Sequence, residues 1–311
     1  MSREARSHDP QDVQDRSAPR SVGPHQALPS YPRDGRKQEE QADVNRERSE
    51  VREQQLNRDE RSDSPRAYYL RNRAYLLRDS EVQSLREIGK FRVIRVSDLA
   101  KYLYAGNRER TDKDFRRLVQ QSLIADKTVE ISQKKTLRIV TLTKTGRRLL
   151  KITNQLPDDQ PIYHGLVKPR EVKHDADLYR LYQKEASRII RGGGKPVRVF
   201  LDYELKRNLN RDLARLGPEK DNQDRKIEVA KKHHLQVVNG KIPLPDLRVE
   251  YETPELELRH VDLELATRDY RPRAMAEKAA AGFSLYGRSE DATRLRRVLD
   301  EREVTAEILA L

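Results

Sequence analysis

Three carboxylates late in the chain have the types and spacing that chemistry uses. Asp246 follows Pro245 at the head of an alternating run, in which Leu247, Val249 and Tyr251 share one face and Arg248 and Glu250 the other. In the next such run, Val261, Leu263 and Leu265 face one way and Asp262 and Glu264 the other. The two-residue period of a strand therefore allows Asp246, Asp262 and Glu264 to converge at one end of a small sheet. Convergent carboxylate oxygens suit a hard divalent cation such as magnesium, which activates water and neutralises a phosphate under attack. The plainer reading is that Asp262 and Glu264 are only the polar face of an edge strand.

The elements around these residues read as α/β from Lys173 onward. A helix over about His174 to Arg191 gathers Leu178, Leu181, Tyr182, Ile189 and Ile190 on one side, with His174 and Glu185 at spacings that put them there too. Gly192 to Gly194 ends it, and because this glycine run follows a helix and precedes a strand it has the reverse order of a phosphate-binding P-loop. Val197 to Leu205 alternates as a strand with Glu204 near its end, and a charged helical stretch runs through Arg225 to His234. His233 and His234 sit at the end of that stretch, where capping outranks metal ligation; with no cysteine and no second histidine pair at helical spacing, no zinc site is expected. Ser289 to Leu311 reads as a helix whose apolar stripe reaches the last residue, docking on the sheet or meeting a partner chain.

Ser80 to Leu150 has a different logic. Ser80, with Gln83, caps a helix striped by Val82, Leu85 and Ile88; Phe91 to Val96 is a short strand; and Ser97 caps a compact helix ending at Gly106. Thr111 and Asp114 then have capping-box spacing, with Phe115, Leu118, Val119 and Leu123 on the buried face. Lys113, Arg116, Arg117, Gln120 and Gln121 are left outward, as on a helix that enters a major groove. Val129 to Ile131 and Leu137 to Leu142 flank a polar turn carrying Lys134 and Lys135, the cationic tip expected of a wing. This order of elements predicts a winged helix-turn-helix that contacts duplex DNA; the plainer reading of Arg116 and Arg117 is a solvated helix face. Leu142 to Leu150 resembles the strand-to-helix exit of many bacterial winged-helix regulators.

Pro245-Asp246, followed on the next strand by Asp262-Leu263-Glu264, resembles the PD-(D/E)xK nuclease fold. Joined to the preceding winged helix, the His174 helix, Glu204, and a following helix carrying Lys278 and Tyr286, the pattern is similar to the replication-relaxation family of plasmid and mobile-element proteins. The resemblance implies a restriction-nuclease-like mixed sheet flanked by helices and a role in replication or DNA relaxation, with duplex DNA and replication or mobilisation proteins as partners. It implies magnesium or manganese held by Asp246 and either Asp262 or Glu264, supplemented by Glu204 or Glu185. The chain departs from the nuclease pattern in having Glu264 where lysine is expected, and Lys278 on the following helix is the candidate replacement. The expectation is therefore a DNA-binding protein with a degenerate nuclease-like domain; the alternatives are an active magnesium-dependent endonuclease and a transcriptional regulator with an α/β sensor or partner domain.

Composition agrees with a polyanionic partner: 64 Lys and Arg stand against 51 Asp and Glu, a formal net charge of +13. The absence of cysteine excludes disulfides and thiolate chemistry, and no apolar run approaches the ~20 residues that span a bilayer. With no signal-peptide core, a cytoplasmic protein is expected. Residues 1–64 are too polar to bury a core and predict a disordered tail. Residues 65–150 form the winged domain, led by Pro65 to Arg78 as a helix packed on it or a tyrosine and arginine stretch that stacks on nucleic acid. Residues 151–172 are a linker and 173–311 the nuclease-like domain; a homodimer is compatible with this layout.

Overall fold

The computed structural model describes residues 64–132, 135–216, 222–267, 270–300 and 308–311. Residues 1–63 of the predicted tail, and Lys134, lie outside these residues. The described chain is α/β, with three sheets and flanking helices.

Pro65 to Arg78 is a hairpin, not a helix: β1 (Arg66–Leu70) pairs antiparallel with β2 (Arg73–Leu77). Leu70, Tyr75 and Leu77 are buried while Tyr69 and Leu76 are exposed, so a period of two governs the segment, and Arg71 makes the turn at φ 54°. Helix α1 (Asp79–Lys90) buries Val82, Leu85 and Ile88 as expected. Its entry differs, because Glu81 accepts the Arg78 backbone N–H at 2.7 Å and Ser80 instead donates to Asp114 at 2.7 Å. Strand β3 is only Ile94–Arg95, and α2 (Val96–Tyr102) starts at once, so Ser97 is not its cap.

Helix α3 (Arg108–Gln120) is capped by Asn107, whose side chain accepts the Arg110 N–H at 2.9 Å. Thr111 and Asp114 therefore lie inside the helix, buried, and Val119 is exposed. Strands β4 (Ile124–Ser132) and β5 (Lys135–Leu142) form a long hairpin, and β3 pairs with β5 to complete a sheet in the order β3-β5-β4. Thr143 caps α4 (Lys144–Ile152) by accepting the Gly146 N–H at 3.1 Å. Gly146 is needed there, since a Cβ would stand 2.2 Å from the Leu123 carbonyl oxygen.

The segment expected as a linker is held in place. Tyr163 N–H donates to Gly89 O at 2.8 Å, and the Gln160 amide brackets the Val199 backbone with two 2.8 Å hydrogen bonds. Helix α5 starts inside that segment, running Pro169–Arg191, with proline opening its first turn. Its face carries Leu178, Tyr179, Leu181, Tyr182 and Ile189 into one core that also holds Leu85, Phe91, Leu99 and Phe115 on one side and Val199, Leu247, Val249 and Leu263 on the other. Phe91 meets Tyr179 edge to face at 5.2 Å.

Strand β6 is Lys195–Leu201; α6 (Asp202–Arg215) begins immediately, so Glu204 belongs to a helix and not to a strand end. After α7 (Asn222–Lys232) come β7 (Leu247–Glu252), β8 (Leu258–Ala266), α8 (Pro272–Ala280), β9 (Ser284–Gly287), α9 (Ser289–Asp300) and β10 (Ile308–Ala310). The sheet runs β10-β9-β8-β7-β6, antiparallel from β6 to β8 and parallel from β8 to β10. Tyr286 is thus in a strand, and the apolar C-terminal stripe ends as an added strand in place of a continued helix. Three residues, Ile308 to Ala310, supply it.

Candidate functional site

Asp246 and Glu264 are clasped together across the end of the sheet. The Asp246 carboxylate accepts the Leu265 N–H at 2.9 Å, while the Glu264 carboxylate accepts the Asp246 N–H at 3.1 Å. This reciprocal pair follows from the β7–β8 register, in which Leu247 faces Leu263. Lys278 reaches in from α8, its ammonium 3.0 Å from the Glu264 carboxylate and also bonded to the Leu244 carbonyl. The Tyr270 hydroxyl bonds the other Glu264 oxygen. From α5, His174 places Nε2 3.4 Å from Asp246 and Nδ1 3.4 Å from Asp175. Asp202, at the start of α6, donates its backbone N–H to Asp246 O at 3.1 Å.

Burial, reinforced by the Asp246 charge, pushes the Glu264 carboxyl up to about 7 even though Lys278 and Tyr270 oppose it. For His174, burial pulls the other way, but the hydrogen bonds and charges of Asp175 and Asp246 outweigh it and raise the imidazole to about 10. Asp202 is raised as well, by burial and then by the charges of Asp246 and Asp175. The site is therefore a tight group of acids and bases around one carboxylate pair.

The structure does not bring the other expected ligands here. Asp262 is gripped by Arg248 through two bonds of 2.6 and 2.7 Å, and Arg248 also holds the His233 carbonyl at 2.7 Å. A buried pair of this kind is structural, since losing either partner would strand a charge. Glu204 pairs with Arg207 at 2.6 Å. Glu185 accepts from Tyr286 at 2.6 Å and from Arg188 at 2.7 Å. Asp175, Asp202 and Tyr270 had not been singled out from sequence; the one signal for Asp202 was its place at the end of an alternating run.

Comparisons with family models, curated proteins and solved structures return no match.

Among the described residues no three His, Cys, Asp or Glu side chains converge to cage a metal ion. Magnesium nevertheless asks little of a protein: it keeps several waters and is commonly held by one or two carboxylates together with substrate phosphates. Asp246 and Glu264 fit that requirement in donor type, and one Asp246 oxygen makes no hydrogen bond among the described residues.

The expected nucleic-acid face divides in the same way. Lys113, Arg116 and Gln120 are exposed on α3, three to four residues apart along one face. Arg117 is turned inward to the fully buried Glu81 at 2.9 Å, and Gln121 is half-buried, donating to Leu76 O at 3.4 Å. Lys135 is exposed at the head of β5. Arg138, missed from sequence, bridges Asp112 of α3 at 2.5 Å and Asp126 of β4 at 2.6 Å, which locks helix and hairpin into one surface.

Proposed function

We propose that this chain is a duplex-DNA-binding protein of replication-relaxation type, with a winged helix-turn-helix formed by α1 to α4 and a restriction-nuclease-like domain built on the β6 to β10 sheet. The observation that carries the reading is Lys278 on α8 beside the Asp246–Glu264 pair, which supplies the lysine absent from strand β8. The order of α1, β3, α2, α3, the β4–β5 hairpin and α4, with Lys113, Arg116 and Gln120 exposed on α3, supports the DNA-binding half.

Lys278 beside the carboxylate pair is what supports an active centre over a vestigial one. Asp246 and Glu264 would hold a magnesium or manganese ion, which when bound polarises the phosphate and lowers the pKa of a bound water. Lys278 is a compact positive charge positioned to offset charge that builds on a phosphate oxygen. Tyr270 fixes one Glu264 oxygen, and His174 orients Asp246. The reading is tested by incubating supercoiled plasmid with the full chain and manganese, with Asp246→Asn and Lys278→Ala alongside. Nicking by the wild type that falls at least tenfold in both variants is expected. Duplex binding without nicking would leave a DNA-binding protein with a degenerate nuclease-like domain, and a discrete footprint at one operator would favour a regulator.

A further inference from the structure

A second cluster of charges lies in a cavity of about 470 Å³ between the β4–β5 hairpin and α5, lined by Lys135, Lys173, Arg180, Arg288 and Arg95. Two buried carboxylates organise it. Asp98 takes Arg180 Nε on both oxygens at 2.9 Å and Arg95 at 3.4 Å; Asp177 takes Arg95 at 2.5 Å and Arg288 at 2.8 Å. Three guanidinium groups thus share two aspartates, and Lys135 and Lys173 add further positive charge at the rim. Arg180 commits only Nε to Asp98, which leaves its two outer nitrogens for the cavity, and it is 42 % exposed. An arginine held at Nε by a buried acid presents its outer nitrogens as a preset fork, the geometry that suits phosphate oxygens.

The cavity and the candidate catalytic group both draw on the N-terminal half of α5, through Lys173, Asp177 and Arg180 in the one and His174 and Asp175 in the other. Lys173 precedes His174, whose ring reaches Asp246. Arg288 stands three residues beyond Leu285, the register partner of Glu264, which is about 11 Å by strand spacing and rise. Resting on the DNA-binding reading, we propose that this cavity seats the phosphodiester backbone of bound DNA and leads it from the α3 and hairpin surface to the Asp246–Glu264 pair.

The test is fluorescence anisotropy of a labelled duplex with the full chain between 50 and 200 mM salt, comparing Lys173→Gln/Arg180→Gln with Lys113→Gln/Arg116→Gln on α3. Loss of two phosphate contacts flattens the slope of log affinity against log salt by about 1.8. That change is expected in the Lys173→Gln/Arg180→Gln protein, and Lys173→Arg/Arg180→Lys should retain the wild-type slope. Because Arg180 also holds the buried Asp98, a lowered melting temperature is expected in the Lys173→Gln/Arg180→Gln protein, and affinity and slope are compared at a temperature where every variant is folded. If the α3 variant weakens binding while the α5 variant keeps affinity and slope, the cavity is an internal ion-pair network and the proposal falls, with DNA binding intact. If the wild type binds no duplex, the proposal falls together with the reading beneath it.

Discussion

At the level of single residues, the candidate centre is decided by which carboxylate each cation chose. Asp262 and Glu264 share a strand face, so periodicity could not separate them; Arg248, opposite Asp262 in register, takes it out of the site. The same close packing gives the centre a pH signature. Glu264 is raised from 4.5 to about 7, so the folded chain holds a proton that the unfolded chain has lost, and stability declines as pH climbs through that window. His174 is raised from 6.5 to about 10, so its stabilising contribution is complete below 6.5 and disappears as pH rises to about 10. Both signs agree. The metal-free melting temperature should therefore fall steadily across these windows, and His174→Gln should remove the decline above about pH 7. Parallel curves for the two proteins would mean that His174 is not held charged by Asp175 and Asp246.

At the level of elements, long apolar periodicities were readable and short or two-faced segments were not. The stripes of α1, α3 and α5 and the alternation of β7 and β8 are set by burial of one face, which leaves a strong pattern in sequence. Pro65 to Arg78 mixes Tyr and Arg at spacings that suit either a helix or a strand, and only the Arg71 turn distinguishes them. Glu204 continues the alternation of β6 by type alone, although the chain has already turned into α6. On α3, adjacent arginines have opposite jobs. Arg117→Ala should destabilise the chain by about 3 kcal/mol, because it strands the buried Glu81. Lys113→Ala/Arg116→Ala should leave the denaturation midpoint unchanged and weaken duplex binding instead. Reversal of these outcomes in paired urea and DNA titrations would reassign the DNA-facing side of the helix.

At the level of the molecule, the two lobes recognised from sequence share one core through α5. Cooperative unfolding should follow, with near-ultraviolet and far-ultraviolet circular dichroism tracing the same transition. Phe91→Ala removes a fully buried ring at the junction and should cost about 4 kcal/mol while keeping that coincidence. Two separated transitions would show that the lobes fold independently. No described helix is long and apolar enough to cross a membrane. The surplus of +13 makes any DNA affinity strongly dependent on ionic strength.

If the proposed reading holds, helix α5 bears on where DNA would be cut. Its 23 residues extend about 34 Å, close to ten base pairs of duplex. Because its side chains are locked into the core shared by both lobes, on the proposed reading it would act as a rigid ruler and not as a tether. An enzyme with a flexible joint scatters its breaks over a range of distances from the sequence it reads. On the proposed reading this chain would instead break DNA at one fixed register from its binding site, which a sequencing ladder of end-labelled product would display as a single band.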